Sequence, residues 1–492
     1  MNEEVFIMEL KIEKKDGLFF LLCLLAGILA EEAFFREQIG VSYFVFIAVF
    51  YTIFFWRFRS YSFSHQRVGY LVLISIWLLA AGYYLNDTEL FYALNLLVIP
   101  SLVIFHLALI TSPKKMGWNN LLFILYTVLR LGQGIRYVGN FISYIANKLK
   151  GSSNPKHFDV WKKVLIGVVI SIPFLFVVLN LLISADAQFE KLLNNIPHLF
   201  SLRAENIIRV FIILLYTFGF FGFMQVLLQK NIQIVQKEGS LKSFQMDGII
   251  TLTVLLLLDL VYILFVVVQF RYFFSGTLDD GFTYAEYARR GFFELLFVTL
   301  INLSVTMGVI QMTNSVQGVM KKTIRLALTV LVLSSGVLLI SAYMRMSMYE
   351  DAYGFTITRV LVHSFMIFLM IIFAYTLVKI WLDKLSLFHF YFISSLIYYV
   401  GMNIVNFDQV VVDRNIVRYE ATGKIDIHYL NSLSSTGVLG LIELYEKNPD
   451  VPGLEALLKQ RKAERQNLKF DTWQSQNLVR DKAYKKLGKL EL

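Results

Sequence analysis

The chain has 492 residues, of which 57% are hydrophobic and only 17% charged, whereas soluble domains run at about 45–50% apolar and about 25% charged. That balance excludes an ordinary water-soluble globule and makes the lipid bilayer the expected solvent and partner. The net charge of +10 lies mostly in loops beside apolar runs, where anionic headgroups and insertion bias account for it, so no nucleic-acid partner is expected.

A spanning helix needs about 20 apolar residues, because the hydrocarbon layer is roughly 30 Å thick and offers backbone groups no water. By that measure the chain carries about 11 spans, at 18–34, 39–56, 68–85, 90–111, 164–183, 207–228, 248–270, 292–312, 326–344, 360–381 and 388–404. Lys11, Lys14 and Lys15 ahead of Leu18 resemble the start of a signal peptide, but Ile28 and Ala30 make a poor cleavage pair, so the first run reads as an uncleaved span. Glu31 and Glu32 cut that run short. Either they are drawn into the bundle, or residues 33–35 complete the helix near the interface.

Segment 112–163 is the ambiguous stretch. Within it Gln133, Arg136, Asn140, Ser143 and Asn147 recur at spacings of three and four, with Ile135, Val138, Ile142 and Ile145 elsewhere around the helix. Lys114 and Lys115 precede it, and Lys148, Lys150, Lys156, Lys162 and Lys163 follow, so both ends belong to one membrane face. The segment therefore reads as an amphipathic helix lying along the inner headgroup surface. The competing reading is an extra span, which would reverse every later helix. With the interfacial reading, alternating loops hold 22 Lys and Arg on one side and nine on the other. This puts the N-terminus in the cytoplasm and, by parity, the tail outside a cell membrane.

Asp259 lies at the middle of the run 248–270. A carboxylate there costs about 2.5–3.5 kcal/mol on insertion scales, so it must face the bundle and find a partner or a function. The functional reading is a proton or cation site; the structural one is a hydrogen bond to a neighbouring span, with Asn302 and Asn180 as candidates. In the next loop Thr283 and Glu286 make a capping box, from which Glu286, Arg290 and Glu294 share one helix face, flanked by Tyr287 and Arg289. A second loop, 345–359, repeats those residue types in Tyr349, Glu350, Asp351, Tyr353 and Arg359. If the two loops meet, they form an outer-face polar cluster suited to an anion or carbohydrate, or to acid–base work by paired carboxylates. The bland reading of both is a set of salt-bridged helix ends.

After Ile404 the composition turns polar and basic, marking residues 405–492 as a small water-exposed, α-rich tail distinct from the membrane domain 1–404. Helices are expected over 436–447 and 453–467, broken by Asn448-Pro449 and Pro452-Gly453. Asp408 and Asp413, with Arg414 and Arg418, read as a solvated helix start.

The single Cys23 rules out a disulfide framework or a CxxC site. The seven histidines are scattered without metal-ligand spacing, and His106 and His363 read as satisfied core residues. HExxH, Walker A, GxSxG and dinucleotide glycine patterns are all lacking, so no metal and no cofactor is expected.

Four further stretches are Ser184-Ala-Asp-Ala-Gln-Phe-Glu, Tyr284-Ala-Glu-Tyr-Ala-Arg-Arg-Gly-Phe-Phe-Glu-Leu, Tyr349-Glu-Asp-Ala-Tyr-Gly-Phe-Thr-Ile-Thr-Arg, and Arg414-Asn-Ile-Val-Arg-Tyr-Glu-Ala-Thr-Gly-Lys-Ile-Asp-Ile-His-Tyr-Leu. In them the chain resembles a bacterial family of multi-pass membrane proteins, DUF4173, itself related to the DUF4153 proteins. The resemblance implies the architecture, an all-α polytopic bundle, and brings no substrate or catalytic residue. Three functions follow as expectations. The first is a non-catalytic envelope signalling or assembly component, with other membrane or envelope proteins as partners. The second is a transporter or channel using Asp259, and the third an enzyme acting on a lipid-linked or cell-wall substrate at the outer face.

Overall fold

The computed structural model describes residues 14–114, 116–119, 121–149, 198–229, 245–270, 292–313, 316–466 and 472–491, with isolated positions at 167, 171, 178 and 182. In chain order the helices are α1 (Lys14–Phe34), α2 (Val41–Arg57), α3 (Gln66–Leu85), α4 (Glu89–Thr111), α5 (Leu121–Leu149), α6 (His198–Leu228), α7 (Gly248–Val268), α8 (Phe292–Met312), α9 (Gly318–Tyr353), α10 (Ile357–Trp381) and α11 (Leu387–Ile404). The tail adds α12 (Phe407–Thr422), α13 (Ile427–Ser432), α14 (Ser435–Lys447), α15 (Leu454–Gln466) and α16 (Leu478–Lys489). Among the described residues α1, α3, α4 and α6 to α11 are long and apolar enough to cross a bilayer, while α2 is an apolar helix of 17 residues. Predicted span 164–183 lies outside the described residues apart from four isolated helical positions.

The caps follow the sequence. Asp247 accepts from Ile249 N at 2.8 Å to start α7, Asn406 from Gln409 N at 3.2 Å to start α12, and Asp426 from Tyr429 N at 2.9 Å to start α13. Gly354 (φ +86) and Gly423 (φ +66) end α9 and α12 in backbone conformations that side chains resist.

The chain divides into two compact units. One comprises Met1–His65, Leu107–Lys115 and Asn120–Asn231. Its centre is α6, against which α1 and α5 pack. Asp16 joins Arg57 at 2.5 Å and accepts from Gln225 Nε2 at 3.0 Å, while Glu31 at the other end of α1 lies 3.7 Å from Arg209, so α1 runs antiparallel to α6. Glu31 is thus drawn into the bundle, with its side chain 2% exposed, and the helix still runs on to Phe34. The predicted amphipathic segment forms α5. Its inward stripe is Phe123, Tyr126, Arg130, Tyr137 and Phe141, whereas Ile135 is 77% exposed. The stripe meets the last two turns of α6: Phe141 lies 4.6 Å from Phe221, and Arg130 donates to Gln229 O at 2.9 Å. Gly134 and Gly222 permit that crossing, since a Cβ on Gly222 would come within 2.7 Å of Gly134 O.

The other unit comprises Gln66–His106, Met116–Asn119 and Ile232–Leu492. There α7, α8, α9 and α10 share one apolar core, built on Leu295, Leu331, Leu339, Met366 and Leu369. At 36 residues α9 is about 54 Å long, well beyond a bilayer core of roughly 30 Å. The loop expected over 345–359 is therefore mostly helix, and only 354–356 connect α9 to α10. Charge at Arg345 suggested a span end, but the stop signal is Gly354. The tail has its own core around Val411, Val412, Leu430, Leu441 and Leu458, into which Ile357 and Val360 of α10 also pack.

Candidate functional site

Two polar arrangements stand out in the second unit: a buried layer within the spanning helices, and an anchor where the tail meets them.

The buried face of α7 is Thr251, Leu255 and Asp259, four residues apart, with Asp259 only 4% exposed. A Cβ on Gly248 would meet Met320 at 2.9 Å, and at the other end Ser341 Oγ donates to Gln269 Oε1 at 2.8 Å. Both contacts have the same offset in residue number, so α7 and α9 run parallel and Asp259 stands level with Leu331. One turn further along α9, Ser335 Oγ accepts from Asn302 Nδ2 of α8 at 2.9 Å and donates to Leu331 O at 2.7 Å. Asn302, offered by the sequence as a partner for Asp259, thus gives its amide to Ser335. Among the described residues Asp259 Oδ1 and Asn302 Oδ1 are buried with no hydrogen-bond partner. The other candidate, Asn180, lies outside the described residues. A carboxyl oxygen left open at mid-helix is able to accept from a proton carrier or coordinate a small cation.

The predicted outer-face cluster separates into distinct parts. Glu286, Tyr287, Arg289 and Arg290 lie outside the described residues, and Glu294 is exposed in the first turn of α8. Glu350 is 4% exposed and pairs with His363 Nδ1 at 2.8 Å, while His363 Nε2 lies 3.3 Å from Ser347 Oγ. Asp351, its neighbour, is exposed, so these two carboxylates do not converge. Tyr349 and Tyr353 do come together, with ring centroids 4.8 Å apart, and the Arg359 guanidinium sits 4.3 Å from the Tyr349 ring centre while donating to Gly354 O. This is a clamp on the α9–α10 turn.

That turn is held by the tail. Asn415 receives from Phe355 N at 3.3 Å and donates to Phe355 O at 2.9 Å, and the Tyr429 hydroxyl accepts from Ile357 N at 2.8 Å. A second anchor grips the α3–α4 turn. Asn477 donates to Tyr83 O at 2.9 Å and to Asn86 O at 2.8 Å, and Asp87 accepts from Ser435 Oγ at 2.5 Å. Asn86 in turn donates to Asn403 O at 2.5 Å, the last turn of α11. Asp408 sits between, accepting from Ser434 Oγ and, at 3.3 Å, from Thr88 Oγ1. It is 1% exposed rather than solvated: the tail folds over it. Burial pushes its carboxyl above the ordinary range, and the hydrogen bonds from Ser434 and Thr88 oppose that.

The sequence did not single out Asn477, Asn86, Asp87 or Tyr429. A lone Asn beside a helix start reads as a cap, and only the fold reveals its second set of bonds. Asn415 and Tyr429 do fall inside the fourth resembling stretch, the one signal that marked them.

An all-α bundle of apolar spanning helices, with a helical tail seated on two of its turns, defines a polytopic integral membrane protein. The family model for a domain of unknown function, DUF4153, matches residues 73–444, well over half of the chain. The chain belongs to the DUF4153 family. No curated protein and no solved structure is similar to it.

Proposed function

We propose that this chain is a non-catalytic component of the bacterial cell envelope, of the DUF4173 kind, in which the tail relays or assembles events on one membrane face with the spanning helices. The N-terminus is placed in the cytoplasm and the tail outside. The observation that carries this reading is the double anchor: a water-exposed helical module holds the α3–α4 and α9–α10 turns through buried Asn477, Asp408 and the Asn415 amide. Such bonds transmit a displacement of the module to four helices, whereas a flexible tether would not. A partner protein on the exposed tail surface is the load this device would sense.

Cells lacking the protein and supplied with a chain ending at residue 404 should lose the envelope response that the full chain restores, at equal membrane abundance. An intact response removes the reading. Its sidedness is tested by a cysteine placed at exposed Glu446, since the native Cys23 is buried and contributes little background. Labelling in intact cells by a membrane-impermeant maleimide is expected; labelling only after lysis places the tail inside.

A second reading, ion or proton transfer through the bundle, rests on the buried Asp259 oxygen on α7, unpartnered among the described residues. Vesicles reconstituted with the full chain should then show a flux that Asp259→Asn abolishes. No flux in the parent, or an unchanged one, removes it.

A further inference from the structure

At the opposite end of α9 from the tail, the ends of α8, α9 and α10 enclose a cavity of about 320 Å³, at the lower limit of the ~300–1,000 Å³ usual for small-ligand sites. Its mouth is cationic. Lys321 and Arg325, one turn apart on α9, and Lys379 on α10 all line it, together with Asp383 just past the end of α10. The rest of its lining is mostly apolar, Ile310, Val316, Ile324, Leu328 and Ile380, with Thr313 among them.

The three cations converge on one residue. Arg325 pairs with the Asp383 carboxylate, Lys321 Nζ reaches its second oxygen at 3.2 Å, and Lys379 Nζ donates to its backbone carbonyl at 2.7 Å. Hydrogen bonds from Arg325 and then Lys321 hold the Asp383 carboxyl below its usual range. Yet that side chain is 67% exposed, so the anion it supplies is at the mouth, not the floor. One carboxylate against three cations leaves the mouth positive by two charges. Nearby, Trp381 is about half exposed and its indole N–H donates to Thr329 Oγ1 at 3.2 Å. A half-exposed indole at a span end marks the headgroup level.

We propose that this cavity binds a phosphate group, with Arg325 and Lys321 gripping its oxygens where the Asp383 carboxylate now sits and Lys379 closing the third side. Guanidinium and ammonium groups spaced for two carboxylate oxygens suit two phosphate oxygens equally, and basic pockets between spanning helices are a recurrent way of holding anionic headgroups. An apolar wall below a cationic mouth, at headgroup level, favours a phosphate carried by a lipid, whose chain follows the wall; a soluble phosphate ester leaves that wall bare. This site is separate from the tail anchor and from Asp259, so it stands whether or not the proposed function does.

The test uses the full chain, purified in mild detergent, stripped of lipid and followed by native mass spectrometry. Titration with cardiolipin should give a retained adduct, and dioleoyl phosphatidylcholine a weaker one. The double variant Lys321→Gln/Arg325→Gln should weaken the cardiolipin adduct tenfold or more, and Asp383→Asn should strengthen it by removing the competing anion. Asp383 is exposed, so this second variant keeps the test open if the first does not fold. Inorganic phosphate in a separate arm identifies the carrier: failure to displace the lipid at millimolar concentration supports the headgroup, and displacement at micromolar concentration supports a soluble phosphate. Equal adducts in parent and double variant, or a weaker adduct in Asp383→Asn, would overturn the proposal.

Discussion

Asp408 shows how one buried carboxyl ties the tail to pH. Its folded value is raised by burial, with Asp87 and Glu89 adding to the rise, against the hydrogen bonds from Ser434 and Thr88. A group raised in this way binds its proton more tightly when docked than when released. Its contribution is therefore fully present below the unfolded value of about 3.9 and declines as pH rises from there through the folded value. Docking of the tail, read as resistance to limited proteolysis, should weaken as pH is raised from about 4 toward neutrality. Asp408→Asn should flatten that dependence, and a slope unchanged by the substitution would locate the titration elsewhere. Asp259 differs in kind: it lies buried on α7 with its Oδ1 oxygen lacking a hydrogen-bond partner among the described residues.

At the scale of elements, the close helix crossings depend on what is missing from a side chain. Gly222 meets Gly134 and Val138 of α5 so tightly that Gly222→Ala forces the helices apart, at an expected cost of about 1–3 kcal/mol from overpacking. Gly132, two residues from Gly134 on α5, has nothing within 4 Å of its would-be Cβ. There an alanine should be neutral or gain up to about 1 kcal/mol from helix propensity. Thermal unfolding of both variants in detergent checks the contrast; equal shifts would mean that α5 and α6 are not in this contact. The same logic explains α5 itself. Its polar stripe and its apolar arc were both visible as a period, but which arc faces α6 was settled by two glycines and an aromatic stripe.

At the scale of the molecule, the tail is bonded to the α3–α4 and α9–α10 turns and not merely joined through the chain after α11. Asn477 is the sharpest probe. It is 2% exposed, caps α16 by accepting from Arg480 N at 3.0 Å and satisfies two carbonyls of the α3–α4 turn. Asn477→Ala removes the cap and leaves both carbonyls unsatisfied, so a loss of about 1–3 kcal/mol is expected. Cleavage within the tail by a dilute protease should accelerate accordingly, with the spanning helices intact; an unchanged rate would show that the anchor carries little load.

Hydropathy by itself determined the lipid solvent, the all-helical class and most span positions, because a bilayer demands about 20 apolar residues wherever a helix crosses. The tail helices expected over 436–447 and 453–467 were legible for a similarly local reason, the Asn-Pro and Pro-Gly breaks between them, whereas the helix ends at Gly354 and Gly423 were not read from the sequence. What only the tertiary structure decided is how polar residues pair. Asp408 looks solvated and is buried, Glu350 turns to His363 instead of Asp351, Asn302 serves Ser335 instead of Asp259, and Lys321, Arg325 and Lys379 gather at one cavity mouth. Apolar burial is proportional to area and repeats along a helix, so it leaves a period in the sequence. A hydrogen bond depends on two atoms brought together from distant positions, and no period records that.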